Sequence, residues 1–156
     1  MTYPHPEVAT YIVENFIPLR VRLDLREDWP FFRAHGILWT PTIVFMDRNG
    51  APHYRSPGFL PPEDFVDMLR IGKAHCLMPW TRSREAALEL EAVVERGGSF
   101  TPEALYWLGV ARYLERRGTG GMWLAWERLT EEFPETAWAK RVYPRGDERR
   151  QANDES

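Results

Sequence analysis

Gly36-Ile37-Leu38-Trp39-Thr40-Pro41-Thr42-Ile43-Val44-Phe45-Met46-Asp47-Arg48-Asn49-Gly50 is the stretch on which the fold turns. Residues 42–46 form an almost unbroken apolar run, the pattern of a strand covered on both faces. Asp47-Arg48-Asn49-Gly50 is a turn sequence, and His53, Tyr54 and Arg55 continue as a second, more polar strand, so the two runs predict an antiparallel hairpin. Gly36 ends the helix before it, and residues 37–41 connect helix to strand.

On the N-terminal side, Asp28 caps a helix through Trp29, Phe31, Phe32 and Ala34, with Pro30 in its first turn. Residues 17–24 alternate Ile17, Leu19, Val21 and Leu23 against Pro18, Arg20, Arg22 and Asp24, which predicts a strand. Val8, Ala9, Tyr11 and Ile12 recur at helical spacing over residues 7–15. On the C-terminal side, Pro61-Pro62-Glu63-Asp64 opens a helix with the stripe Phe65, Met68, Leu69 and Ile71, ending near Cys76, where Met78-Pro79-Trp80 breaks it. Beyond Thr81 the period is helical throughout. Ala86, Ala87, Leu90 and Val94 mark one segment; Leu105, Leu108, Ala111 and Leu114 a second; Met122, Trp126, Leu129 and Phe133 a third. A last short helix is expected from Glu135 through Trp138 to Val142, and residues 145–156 are expected to be a mobile tail.

The 156 residues are 44% hydrophobic and 28% charged, an ordinary globular balance that argues against disorder. A net charge of −3 without a basic stripe argues against nucleic acid as a partner. No run is long enough to span a bilayer, and Pro4, Pro6, Glu7 and Glu14 stand where a secretory leader would be apolar, so a cytoplasmic location is expected. Cys76 is the only cysteine, which excludes an intrachain disulfide. His5, His35, His53 and His75 lack paired spacing, so neither a metal nor another cofactor is expected. Glu27-Asp28 and Glu63-Asp64 suit helix starts better than acid–base work, and Ser56 and Ser83 show no His and Asp partners in the sequence. Seven Trp are expected mainly to fill a core.

The order helix, strand, helix, strand, strand, helix over residues 5–76 resembles a thioredoxin fold without its opening strand and the start of its first helix. Tyr3-Pro4-His5-Pro6-Glu7-Val8 and Glu14-Asn15-Phe16-Ile17-Pro18-Leu19 resemble the segment after the Cys-x-x-Cys helix in a bacterial thioredoxin-like family. Gly36-Ile37-Leu38-Trp39-Thr40-Pro41-Thr42 resembles the loop whose proline is cis and faces the reactive cysteines, and Gly58-Phe59-Leu60-Pro61-Pro62-Glu63-Asp64-Phe65 resembles the start of the final helix. Leu105-Tyr106-Trp107-Leu108-Gly109-Val110-Ala111-Arg112-Tyr113, with Trp126 and Pro134, resembles the tetratricopeptide pattern loosely: Arg112, Met122 and Leu129 depart from it. The resulting expectation is an α/β chain. An incomplete thioredoxin-like sheet, a βαββα remnant, occupies residues 1–78, a tetratricopeptide-like helical segment residues 79–144, and the tail residues 145–156.

The resemblance also implies where function lies. A peptide partner would run past Trp39, Thr40 and Pro41, the backbone before the proline pairing with it. Thiol exchange needs an attacking and a resolving thiol, and Cys76 lies at the end of the last thioredoxin helix, away from Pro41, so the chain as written is expected to be redox-inactive. The first functional expectation is therefore a protein- or peptide-binding module. The alternative is a shortened thiol-disulfide oxidoreductase whose Cys-x-x-Cys lies upstream of Met1, and a third is a structural module with Trp39 buried. The missing strand would lie between residues 17–24 and residues 42–46. Either those two pair directly in parallel, which we favour for a monomer, or another chain inserts a strand and makes a homodimer through the open sheet edge.

Overall fold

The hairpin forms as the sequence predicts in the computed structural model, which describes residues 5–142. β1 (Thr42–Met46) and β2 (Pro52–Pro57) run antiparallel, with Ile43 opposite Ser56 and Phe45 opposite Tyr54. Asp47 locks the turn between them. Its carbonyl accepts the Gly50 amide at 2.9 Å, and its carboxylate accepts the amides of Asn49 at 2.8 Å and Ala51 at 3.0 Å. The His53 ring meets the same carboxylate at 3.1 Å, and this bond, helped by the backbone amides, holds the Asp47 carboxyl down to about 2.

α3 (Pro62–Leu77) carries the hairpin. Its face of Phe65, Val66, Met68 and Leu69 packs with Phe45 of β1 and Val8 of α1 (Pro6–Asn15). Gly72 lets this happen: a Cβ there would come within 2.5 Å of the Phe45 ring carbons. The opposite face, Ile71, Ala74 and Leu77, joins a second core built from α4 (Ser83–Arg96), α5 (Thr101–Arg116) and α6 (Thr119–Glu132). Met68, Ile71, Leu90, Leu105 and Leu129 are among the fully buried side chains, each contributing about 1.5–3 kcal/mol relative to exposure. α4 packs on α3, α5 on α4 and α6 on α5. Between α5 and α6, Gly109 makes room for the Trp126 indole, whose Nε1 donates to the Tyr106 carbonyl at 3.0 Å.

A polar knot ties α1 to the helical half. Glu89 on α4 accepts from the Tyr11 hydroxyl and from Arg70 Nη1, both at 2.7 Å, and from Lys73 Nζ, which also reaches Asn15 Oδ1 at 2.6 Å. Burial pushes the Glu89 carboxyl up, but the hydrogen bonds from Lys73 and Tyr11 and the two cations outweigh it and leave it below its ordinary range.

Three expectations need correction. Residues 17–24 form no strand, and the sheet among the described residues has two strands rather than three. The alternation specifies faces but not a ladder partner. Without one, Ile17 and Leu19 stand 98% and 77% exposed, and the parallel pairing with β1 does not occur. Local polar bonds shape the end of this segment instead: Asp28 accepts the Arg22 amide at 2.7 Å rather than capping α2 (Trp29–Ala34). The last expected helix is also shorter. Only the 3-10 turn Ala139–Arg141 forms, with the Thr136 hydroxyl accepting the Ala139 amide at 3.2 Å. The resemblance at Tyr3 and Pro4 and the expected tail over residues 145–156 lie outside the described residues.

Where the hairpin meets the helices, His75 stacks on Tyr54 with ring centroids 5.0 Å apart and meets Trp107 edge-on at 4.3 Å. Burial, with a smaller contribution from His53, pushes the His75 ring down to about 4. An unfolded histidine titrates near 6.5, so between those values the unfolded chain binds the extra proton and stability falls as pH falls. From pH 7 to 4.5 this group should remove about 2–3 kcal/mol. Thermal melts of the wild type and His75→Phe at the two pH values measure it; the variant should lose less by about that amount.

Candidate functional site

The loop before β1 is built by bonds that leave its side chains outside. After α2 the Ile37 amide donates to the Phe32 carbonyl at 2.9 Å, and Gly36 takes a φ of 57°, a conformation that suits glycine. Arg55 of β2 donates through its guanidinium to the carbonyls of His35 and Gly36, fastening the end of α2 to the hairpin. The Thr42 hydroxyl donates to the Trp39 carbonyl at 2.7 Å, and the Gly58 amide donates to the Pro41 carbonyl at 2.8 Å. The Thr40–Pro41 peptide bond is cis.

With the backbone thus engaged, the apolar side chains face water. Trp39 is 70% exposed, Leu38 is 94% exposed and Phe59, next to Gly58, is 71% exposed. Trp39 is therefore not a core residue, so the alternative of a structural module with Trp39 buried is not favoured; Trp123, by contrast, is buried. Sequence reasoning singled out Trp39, Thr40 and Pro41 but missed Leu38 and Phe59. The signal for Phe59 was its place beside Gly58, whose amide closes the loop.

The strand leading from this loop has an open side. In an antiparallel pair, hydrogen-bonded and non-hydrogen-bonded positions alternate. Starting from the Gly58-to-Pro41 bond, Ile43 and Phe45 direct their backbone groups to β2, and Thr42 and Val44 direct theirs to the edge that no strand pairs among the described residues. An extended backbone could satisfy them there.

The thiol of Cys76 sits in α3, partly buried, and burial together with the charge of Asp47 pushes it up to about 11. A thiol held protonated is a poor nucleophile at neutral pH. Among the described residues no group of His, Cys, Asp and Glu is arranged to hold a metal ion, and no helix is long and apolar enough to cross a membrane.

A proline loop feeding an open-edged hairpin, with the hairpin laid on a helix and a further helix packed beside it, makes a mixed α/β domain. Residues 4–73 match the family model of the thioredoxin-like domain, and the chain carries such a domain, followed by a helical region. No curated protein and no solved structure matches the chain.

Proposed function

We propose that this chain is a redox-inactive thioredoxin-like protein that binds an extended segment of a protein partner at Trp39, Thr40 and Pro41. The segment adds as a strand along the open edge of β1. The observation that carries this reading is the exposed Trp39, with Leu38 and Phe59, at the head of a strand with one free edge. Apolar surface removed from water favours association by about 25 cal/mol per Å². Backbone bonds at Thr42 and Val44 set the register, and the side chains of the incoming strand alternate between the two faces of the sheet. Redox inactivity is supported by the thiol inventory: an exchange cycle needs two thiols, and the sequence holds only Cys76.

Amide exchange followed by NMR, with and without a pool of extended apolar decapeptides, tests the docking. The Ile43 and Phe45 amides should be protected throughout, and the Thr42 and Val44 amides only with peptide present. Trp39→Ala should weaken binding by about tenfold or more, as expected for a tryptophan anchor, while stability stays within about 0.5 kcal/mol because the side chain is exposed. Unchanged Val44 exchange, or wild-type affinity in Trp39→Ala, overturns the docking. Sustained insulin-disulfide reduction by the purified chain overturns redox inactivity.

A further inference from the structure

The hairpin is fastened to the helical half at a stack of rings. Tyr54 of β2 packs against both hydrophobic cores, and His75 of α3 lies between it and Trp107 of α5. The Tyr54 hydroxyl donates to the Glu103 carboxylate of α5, so β2 reaches past α3 to a second helix.

Two nitrogens in this stack, His75 Nε2 and Trp107 Nε1, are buried without a hydrogen-bond partner among the described residues. A neutral imidazole tolerates the place because Nε2 can stand as an idle acceptor. In the imidazolium both ring nitrogens are donors, and the charge would be buried without an answer. The groups around the ring do not supply one. From β2 come Tyr54 and His53, a second imidazole already bonded to Asp47 and adding a like charge when protonated. From α5 come Trp107 and Glu103, whose carboxyl is engaged by Tyr54 and by the charge of Arg141 in the 3-10 turn. On α3 itself the neighbouring Cys76 thiol is held protonated. Burial holds the Glu103 carboxyl above its ordinary value, so it loses charge on acidification and opposes His75 only in part.

We propose that protonation of His75 opens this seam as an acid-sensitive switch: the Tyr54–His75–Trp107 stack parts, and β1 and β2 lift from α3 and α5 while α4, α5 and α6 stay packed. A two-stranded ribbon holds poorly by itself, so losing the ring contact releases the hairpin as a unit. The helices keep a core of their own in Leu90, Leu105 and Leu129. The hairpin also carries the open edge of β1, so acid withdraws that edge; this consequence rests on the docking reading, whereas the switch itself is tested without peptide.

Amide exchange of the full chain followed by NMR between pH 7 and 4.5, corrected for intrinsic rates, tests it. At each pH the Ile43 and Phe45 amides should be less protected than those of Leu90 and Leu105, because the hairpin opens without the helices. Hairpin protection should fall about fifty-fold or more over this range, since the opened histidine regains its ordinary affinity for a proton. In His75→Phe, which keeps a ring in the stack but does not titrate, the fall should shrink to about fivefold or less. His75→Leu serves in its place if that variant does not fold. Hairpin protection independent of pH, equal protection of hairpin and helices at every pH, or an undiminished fall in the variant overturns the proposal.

Discussion

Gly109→Val should lower the stability of the protein by about 2–4 kcal/mol, read as a shift in the denaturant midpoint. The first added carbon would occupy space already held by the Trp126 indole, so α5 and α6 must separate or the indole must leave. Overpacking of a formed interface costs about 1–3 kcal/mol, and displacing the indole also breaks its bond to the Tyr106 carbonyl, about 1 kcal/mol more. Set against a total of about 5–15 kcal/mol, this approaches the unfolding threshold. Trp126→Leu should partly rescue it by vacating the space. An unchanged midpoint in Gly109→Val would show that the helices pack differently.

Glu89→Ala should cost about 2–3 kcal/mol at pH 7. Removing one member of a buried ion cluster strands the others, typically for 3–5 kcal/mol, and here Arg70 and Lys73 are each 26% exposed, so water recovers part of that loss. Tyr11 loses its acceptor as well. Glu89→Gln should cost less because it still accepts from the tyrosine. The sign with pH follows from the depressed carboxyl: the stabilisation is complete above the ordinary carboxylate value and is lost as pH falls through the lower folded one. The gap between wild type and Glu89→Ala should therefore narrow on acidification, in equilibrium unfolding measured from pH 7 downward.

Much of the architecture was legible because it rests on local signals. The stripe of Phe65, Met68, Leu69 and Ile71, the prolines ahead of it and the turn at Asn49-Gly50 place α3 and the hairpin without knowledge of any partner. The strand expected over residues 17–24 failed for the opposite reason. Alternation of Ile17, Leu19 and Val21 states which residues share a face, but a strand exists only when its backbone has another to bond with. The proline loop was half visible: the sequence marked Trp39, Thr40 and Pro41, but no pattern states whether a lone tryptophan in a connector faces inward or out. That depends on Arg55 and Gly58, well downstream in the chain, which hold the loop's backbone.

The two faces of α3 fix an order of events. Contacts among α3, α4, α5 and α6 join near neighbours in the chain, which favours rapid assembly, whereas a two-stranded ribbon by itself is only marginally stable in water. The helical stack is therefore expected to condense early, with Phe65 and Met68 as the floor against which Phe45 packs. In a chain growing from the ribosome the hairpin emerges first, yet it has nowhere to settle until the residues that follow it are made. Through that interval the apolar run Thr42–Met46 would lack the α3 face it later packs on, the stage at which a chaperone would have the most to shield.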